Sequence, residues 1–392
     1  MNFVINNQEE LSKKLALNVK VSSTNKLIDS FKNLKMIIKE NTLEITSFNG
    51  ENCIISTFNI ERKDDFVDEI EFLVEADIFK NIIDTFTEFN SPHINVFVDY
   101  EKERMYLNYN NIKFNLKILK ETKDFNGVPK LDTYTDYKTA IFNKNALRRA
   151  ILNTQKCAGK DQARPILEAV NIIVKGDSAD IVTLDGYKAA YNKIECESAE
   201  EFTVSLSSSN AMPIVLDVLK SGYDFVEINT NGVYSMIEND DTVIFLKQIS
   251  GNIPNYTRLI QKKDSAYYIT LDKKTLDSAL SATRIGNAGN SPIKLIINTK
   301  ESSLTIESIG STLSGDAIDN FEITLPVNLN NNDNEDLEIV INRMFMTDLL
   351  KSVYTDKCLL IIQSAVEPLF IENENNDKAT YLMLPIKQNK KR

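Results

Sequence analysis

One pattern runs through this chain three times, and a repeat constrains the architecture before any motif does, because each copy must bury its apolar faces in the same way. The opening FVINNQEELSKKL, followed after a gap by LKMIIKENTLEITSFNG, recurs as AIFNKNALRRAI with ILEAVNIIVKGDSADIVTLDG, and again as YYITLDKKTLDSAL with IKLIINTKESSLTIESIG. Each copy reads as a short strand, an amphipathic helix, a loop and two alternating strands joined by a polar turn. Each also has a second half of the same kind, beginning FLVEADIFKNIIDTF, FTVSLSSSNAMPIVLDVLK and LEIVINRMFMTDLLKSV. The copies start near Asn2, Ala140 and Tyr267, and the polar stretches 119–138 and 258–266 separate them. The expectation is an α+β chain of three repeated domains at 1–135, 136–262 and 263–392, each with two helices packed on antiparallel sheets.

Composition narrows what such a chain can do. At 392 residues it exceeds one ordinary core, and 42% hydrophobic with 26% charged residues is a globular balance. No apolar run is long enough to span a bilayer, and the start MNFVINNQEELSKKL lacks a basic and then apolar leader, which points to the cytoplasm and away from membranes. Cys53, Cys157, Cys196 and Cys358 are too widely spaced for a CxxC metal or redox unit and read as buried small hydrophobes. A net charge of -11 argues against nucleic acid until the basic residues are located.

Their location is uneven. The helix beginning near Asn143 carries Lys144, Arg148, Arg149, Lys156 and Lys160 with no acidic residue before Asp161. The other helices carry weaker versions: Lys13 and Lys14, Lys80, Lys220, Lys273 with Lys274 and Arg284, and Lys351, each diluted by nearby Asp or Glu. Any one such face is what an ordinary solvated helix presents, but six related helices each presenting a base form a pattern. With the helices on a concave side they would line a channel that holds a phosphate backbone without reading bases. The acidic exterior would discourage binding elsewhere.

Three stretches within the repeat resemble the bacterial sliding clamp, the β subunit of DNA polymerase III: RPILEAVNIIVKGDSADIVTLDGYKAAYNK at 164–193, ISGNIPNYTRLI at 249–260 and YLMLPIK at 381–387. The resemblance covers the full length in the same order. It implies a head-to-tail dimeric ring around duplex DNA, bound without sequence preference, that tethers the replicative DNA polymerase and other repair and replication proteins carrying a clamp-binding motif. An ATP-dependent clamp loader would open the ring, since the chain has no phosphate loop of its own. A hydrophobic peptide pocket is implied at Leu167, Leu184, Gly186, Tyr187, Lys188, Ala189, Pro254, Arg258 and Leu259, with Phe345, Val366, Pro368, Leu382, Leu384, Pro385 and Ile386 from the third copy. Arg258 and Lys188 would stand at its rim, whereas Leu167 and Leu184 read on their own as core strand positions. Where the family often has His-Arg-Leu, this chain has Tyr187, Lys188 and Ala189, which implies a roomier pocket and a less directional cation. DNA contacts are implied at Asn25, Lys26, Lys80, Lys144, Arg148, Arg149, Lys160, Gln162, Lys220, Lys273, Arg284 and Lys351, with Ile285 at the dimer junction and the basic tail QNKKR beyond the usual end.

Two other classes fit the sequence less well. An enzyme would need a concentrated constellation, yet the single histidine, His93, lacks a partner pattern. The pairs Asp64 with Asp65 and Asp240 with Asp241 fall in polar turns, and IGNAGNS at 285–291 lacks the strand-to-helix context of a nucleotide cradle. No catalysis, cofactor or metal is expected. A repeat adaptor that binds proteins but not DNA would suit the acidic charge, and DNA topology separates it from a clamp.

Overall fold

The computed structural model describes all residues except 23–27, 65–68, 130–135, 162, 221, 240, 285–291, 310–320, 331–334, 375–377 and 388–392. Among the described residues there are six α-helices: α1 (Gln8–Ser22), α2 (Ala76–Glu88), α3 (Lys144–Thr154), α4 (Met212–Val218), α5 (Lys273–Ala282) and α6 (Arg343–Leu350). Each follows closely on a strand: Asn2–Ile5, Ile70–Glu75, Lys138–Asn143, Phe202–Ser207, Tyr267–Asp272 and Leu337–Asn342. Antiparallel strands follow each helix, so the half-domain read from the sequence forms six times.

Local chemistry explains the helices. In α2, Phe79, Ile82, Ile83 and Phe86 are buried, spaced so that they share one face. Asp272 caps α5 by accepting from the Thr275 backbone N–H at 2.7 Å, and Asn342 caps α6 by accepting from those of Met344 and Phe345 at 2.9 and 3.3 Å. Helix α4 has only seven residues and opens with Pro213 in its first turn, where a missing N–H costs no hydrogen bond.

The chain packs as two compact units, Met1–Lys144 with Ser209–Gln248, and Asn145–Ser208 with Ile249–Arg392. The first unit has a five-stranded sheet in the order Glu61–Arg62, Asn2–Ile5, Ile94–Asp99, Arg104–Tyr109, Ile112–Lys117. Its longer sheet runs Ile70–Glu75, Asn33–Lys39, Thr42–Phe48, Cys53–Asn59, Thr242–Lys247, Tyr234–Asn239, Phe225–Thr230, Lys138–Asn143. Leu11 and Leu15 of α1 and the apolar stripe of α2 share one core with Leu34, Ile38, Ile45 and Val96.

The second unit is built alike. Its long sheet runs Phe202–Ser207, Ala169–Lys175, Ser178–Leu184, Lys188–Glu197, Ala379–Met383, Leu369–Asn373, Lys357–Ile362, Tyr267–Asp272, Asn328–Asn330. A four-stranded sheet, Glu322–Pro326, Ser303–Ser308, Pro292–Asn298, Leu337–Asn342, completes it. Each compact unit thus joins a terminal copy of the repeat to half of the middle copy, because strand pairing continues from one copy into the next.

No described helix is long and apolar enough to cross a membrane, and no group of three or more His, Cys, Asp or Glu among the described residues could hold a metal. The four cysteines are buried and free. Burial pushes the thiols of Cys157 and Cys358 up to about 12 and that of Cys196 to about 11, so these three remain protonated, as small hydrophobes should.

Candidate functional site

The three family-like stretches meet within the second unit, at one end of the central strands of its long sheet. After the strand Ser178–Leu184 the chain reverses through Asp185, whose carboxylate accepts from the backbone N–H groups of Tyr187 at 2.8 Å and Lys188 at 2.7 Å. Gly186 takes φ +95 in this turn, a conformation that side chains disfavour. The reversal leaves Tyr187 63% exposed and sends Lys188–Glu197 back along the sheet. There Lys188 and Ala189 pair with Met383 and Leu382 of the last strand, and the Leu384 N–H donates to the Tyr187 carbonyl at 2.8 Å. The first and third stretches are therefore stitched together through backbone.

Beneath them lies one apolar cluster containing Leu167, Leu184, Ala189 and Leu382, with Tyr256, Phe370 and the partly buried Leu259. Leu167, Leu184 and Leu382 are 2–3% exposed and lie beneath the surface; Leu184 sits in a core strand, whereas Leu167 lies in the short helical turn Pro165–Glu168 rather than in a strand. Above it, the ring of Phe345, from the first turn of α6, stacks on that of Tyr187 with centroids 6.2 Å apart and planes at 28°. Leu384, Ile386 and Val366 are exposed, as are Pro254, Gly186 and Arg258, while Phe345, Pro368 and Pro385 are half-buried. Pro385 lies between Leu384 and Ile386, and the Ile386 N–H donates to the Val340 carbonyl at 2.7 Å.

Lys188 departs from the expected rim position. It is buried, its ammonium 3.1 Å from Asp348, bonded to the Lys156 carbonyl at 3.4 Å and 5.4 Å from the centre of the Phe345 ring. A buried ammonium needs a counter-charge, and α6 supplies one. Arg258 keeps the exposed position expected of it. Two further residues went unread in the sequence: Asp348, which anchors Lys188, and Met344, 43% exposed beside Phe345. The signal for Met344 was an apolar residue two positions after the cap Asn342, where a helix's first turn is open to solvent.

The expected DNA-facing cations divide into two kinds. Lys80 is paired with Asp84; Lys220 lies 2.7 Å from Asp217, which also takes Lys20; Lys351 lies 3.5 Å from Asp348. Burial raises the Asp217 carboxyl, but Lys20 and Lys220 outweigh it and hold the group below the usual carboxylate range. The Lys144 ammonium donates to the Gly222 carbonyl at 3.0 Å and that of Lys273 to the Val353 carbonyl. Arg149, Lys160 and Arg284 are exposed, and Arg148 is half-buried. Positive charge is therefore concentrated on α3 and the loop after it. Asn25, Lys26, Gln162 and Ile285, like the tail from 388, lie outside the described residues. His93 packs edge-on against Tyr109 at 5.3 Å.

Residues 258–387 match the family model for the DNA polymerase III beta subunit, C-terminal domain. Among curated proteins, the beta sliding clamp of Rickettsia felis is 21% identical over 371 residues, covering 92% of this chain and 93% of the relative. That of Bacillus subtilis is 20% identical over 379 residues, covering 94% and 95%. Among solved structures, the DNA polymerase III beta subunit from Thermotoga maritima superposes with a TM-score of 0.85 at 17% identity, over 99% of this chain and 100% of the other. The sliding clamp from Bacillus subtilis gives 0.82 at 18%, with the same coverage. The fold is that of these clamps, and residues 258–387 match the C-terminal domain of the DNA polymerase III beta subunit.

Proposed function

We propose that two copies of this chain close head to tail into a ring around duplex DNA, which slides without catalysing a reaction and tethers the replicative polymerase to its template. The observation that carries this reading is the strand-helix-strand unit repeated six times over a chain that aligns end to end with beta sliding clamps. In this reading the repeat divides the chain into three domains, 1–135, 136–262 and 263–392, and the six helices turn toward the DNA. The exposed bases of α3 would hold phosphates through charge alone, sensitive to salt and blind to sequence.

Two open sheet edges support dimerisation. Ile112–Lys117 pairs on one side only among the described residues, and carries exposed Lys113 and Lys117. Glu322–Pro326 likewise pairs only with Ser303–Ser308, and Glu322 sits directly opposite Glu307. Glu307 is already paired with Lys294 at 3.1 Å, so Glu322 is the charge at this edge that a cationic strand from another copy would meet. Joining these edges between copies continues both sheets and removes two exposed templates for aggregation.

The surface around Tyr187, Phe345 and Leu384, floored by Leu167, Leu184, Ala189 and Leu382, would take a short hydrophobic motif, with Arg258 outside as the cationic contact. Polymerase, clamp loader and repair proteins would share it, in the cytoplasm on the nucleoid. Binding there raises the polymerase's effective concentration at the primer end. The test is synthesis on a primed circular template with the polymerase and loader of the same cell. This chain should lengthen products per binding event, and Tyr187→Ala with Leu384→Ala should return them to the length seen without it. Product length indifferent to the chain would reject the reading.

A further inference from the structure

The pocket segment 249–260 forms neither helix nor strand, yet it carries Pro254, Arg258 and Leu259. Its backbone is tied at few points: the Ile249 N–H donates to the Ser205 carbonyl at 2.9 Å, and those of Leu259 and Ile260 donate to the Tyr256 carbonyl at 2.9 and 3.1 Å. What fixes the segment sideways is Tyr256, 7% exposed, whose ring lies in the same apolar cluster as the pocket floor.

The Tyr256 hydroxyl donates to Asp180 Oδ2 at 2.7 Å. Asp180, 5% exposed, lies in a strand whose other residues from Ala179 to Leu184 are all buried and mostly apolar, where a bare carboxylate would be costly. It is satisfied three times over. Lys175 Nζ reaches Oδ2 at 2.6 Å, the Tyr191 hydroxyl donates to Oδ1 at 3.0 Å, and Lys175 also bonds the Tyr256 hydroxyl at 3.1 Å. The Tyr191 and Tyr256 rings stack at 6.1 Å and 28°. A lone buried carboxylate holding two phenols and an ammonium is a rigid, directional anchor, since charge-assisted bonds fix both distance and angle.

We propose that Asp180 and Tyr256 form a latch that sets the position of the segment carrying Pro254, Arg258 and Leu259, and through it the affinity of the surface for a partner peptide. This rests on the reading of that surface as a peptide pocket. Tyr256, Asp180, Lys175 and Tyr191 are positioning residues; none is placed against the peptide. Removing one hydroxyl leaves the apolar ring seated but frees the segment to sample other positions, which a ligand must then pay to restrict.

The test compares the full-length protein with Tyr256→Phe, Asp180→Asn and the double variant. Two readouts apply: amide hydrogen exchange in the free protein, and binding of a fluorescent pentapeptide bearing leucine and phenylalanine. The Leu259 and Ile260 amides should exchange faster in Tyr256→Phe, while those of the strand pairs Ala169–Lys175 and Ser178–Leu184 keep their protection. Peptide affinity should fall about tenfold, and the double variant should lose little more than either single one, because both break the same bond. Unchanged exchange at Leu259 and Ile260 overturns the latch, as do additive losses of affinity. If the parent protein binds no such peptide, the pocket reading fails, and the exchange result still decides the latch.

Discussion

Lys188 and Tyr187 exchange the roles that their residue types suggest: the cation is inside and the aromatic ring is outside. Truncating residues that stand proud of the surface should therefore separate binding from folding. Tyr187→Ala and Leu384→Ala are expected to change stability by only about 0.5 kcal/mol, as ordinary surface substitutions do, yet to weaken peptide binding by ~1–2 kcal/mol. Thermal melts and peptide titrations check this together. Asp180 gives a pH signature. Burial pushes its carboxyl up, but the bonds from Lys175, Tyr256 and Tyr191 more than compensate and hold it below the ordinary range, with Lys193 its cross-strand neighbour. A carboxyl depressed in the folded state adds stability that is complete above its unfolded value, near 3.9, and is lost as pH falls through the folded one. Denaturant midpoints should therefore fall between about pH 5 and pH 2 more steeply in the parent than in Asp180→Asn. At this scale the sequence does not show which way a side chain points. The ion pair of Lys188 with Asp348 joins residues 160 apart in the chain, and no local spacing announces it.

The helices were legible because each apolar stripe recurs at helical spacing after an alternating strand, and Asp272 and Asn342 sit where caps belong. What spacing cannot show is which cations already have partners. Lys80 and Lys220 are neutralised by Asp84 and Asp217, so reversing charge on α3 should matter more than on α2 or α4. Changing Arg148, Arg149 and Lys160 to Glu should weaken retention on DNA and flatten its salt dependence by about two to three ions, with the dimer unaffected. Changing Lys80 and Lys220 should do less, and equal losses would show that α3 is not the principal contact. The sheet edges make their own prediction. Glu322→Lys and Lys117→Glu should each loosen the dimer, by up to about 1 kcal/mol for exposed charges, and the double exchange should recover most of the loss. Sedimentation at several concentrations reads this directly.

The whole molecule repeats one motif, yet its compact units do not follow the repeat. The strand Cys53–Asn59 of the first copy pairs with Thr242–Lys247 of the middle copy, and Lys188–Glu197 of the middle copy pairs with Ala379–Met383 of the third. The order of copies was legible from the sequence, but this sharing of sheets was not, because alternating strands with one free edge look alike whichever neighbour they accept. Continuous pairing from copy to copy is also what a closed ring requires of its wall. A ring holds DNA by topology, so residence can be long although each phosphate contact is weak and screened. The direct measurement is retention of the loaded protein on nicked circular DNA before and after the circle is cut once. The protein should stay on circles through a wash at moderate salt and leave within the time of cutting once an end exists; equal retention on circular and linear DNA, or none on either, would contradict encirclement.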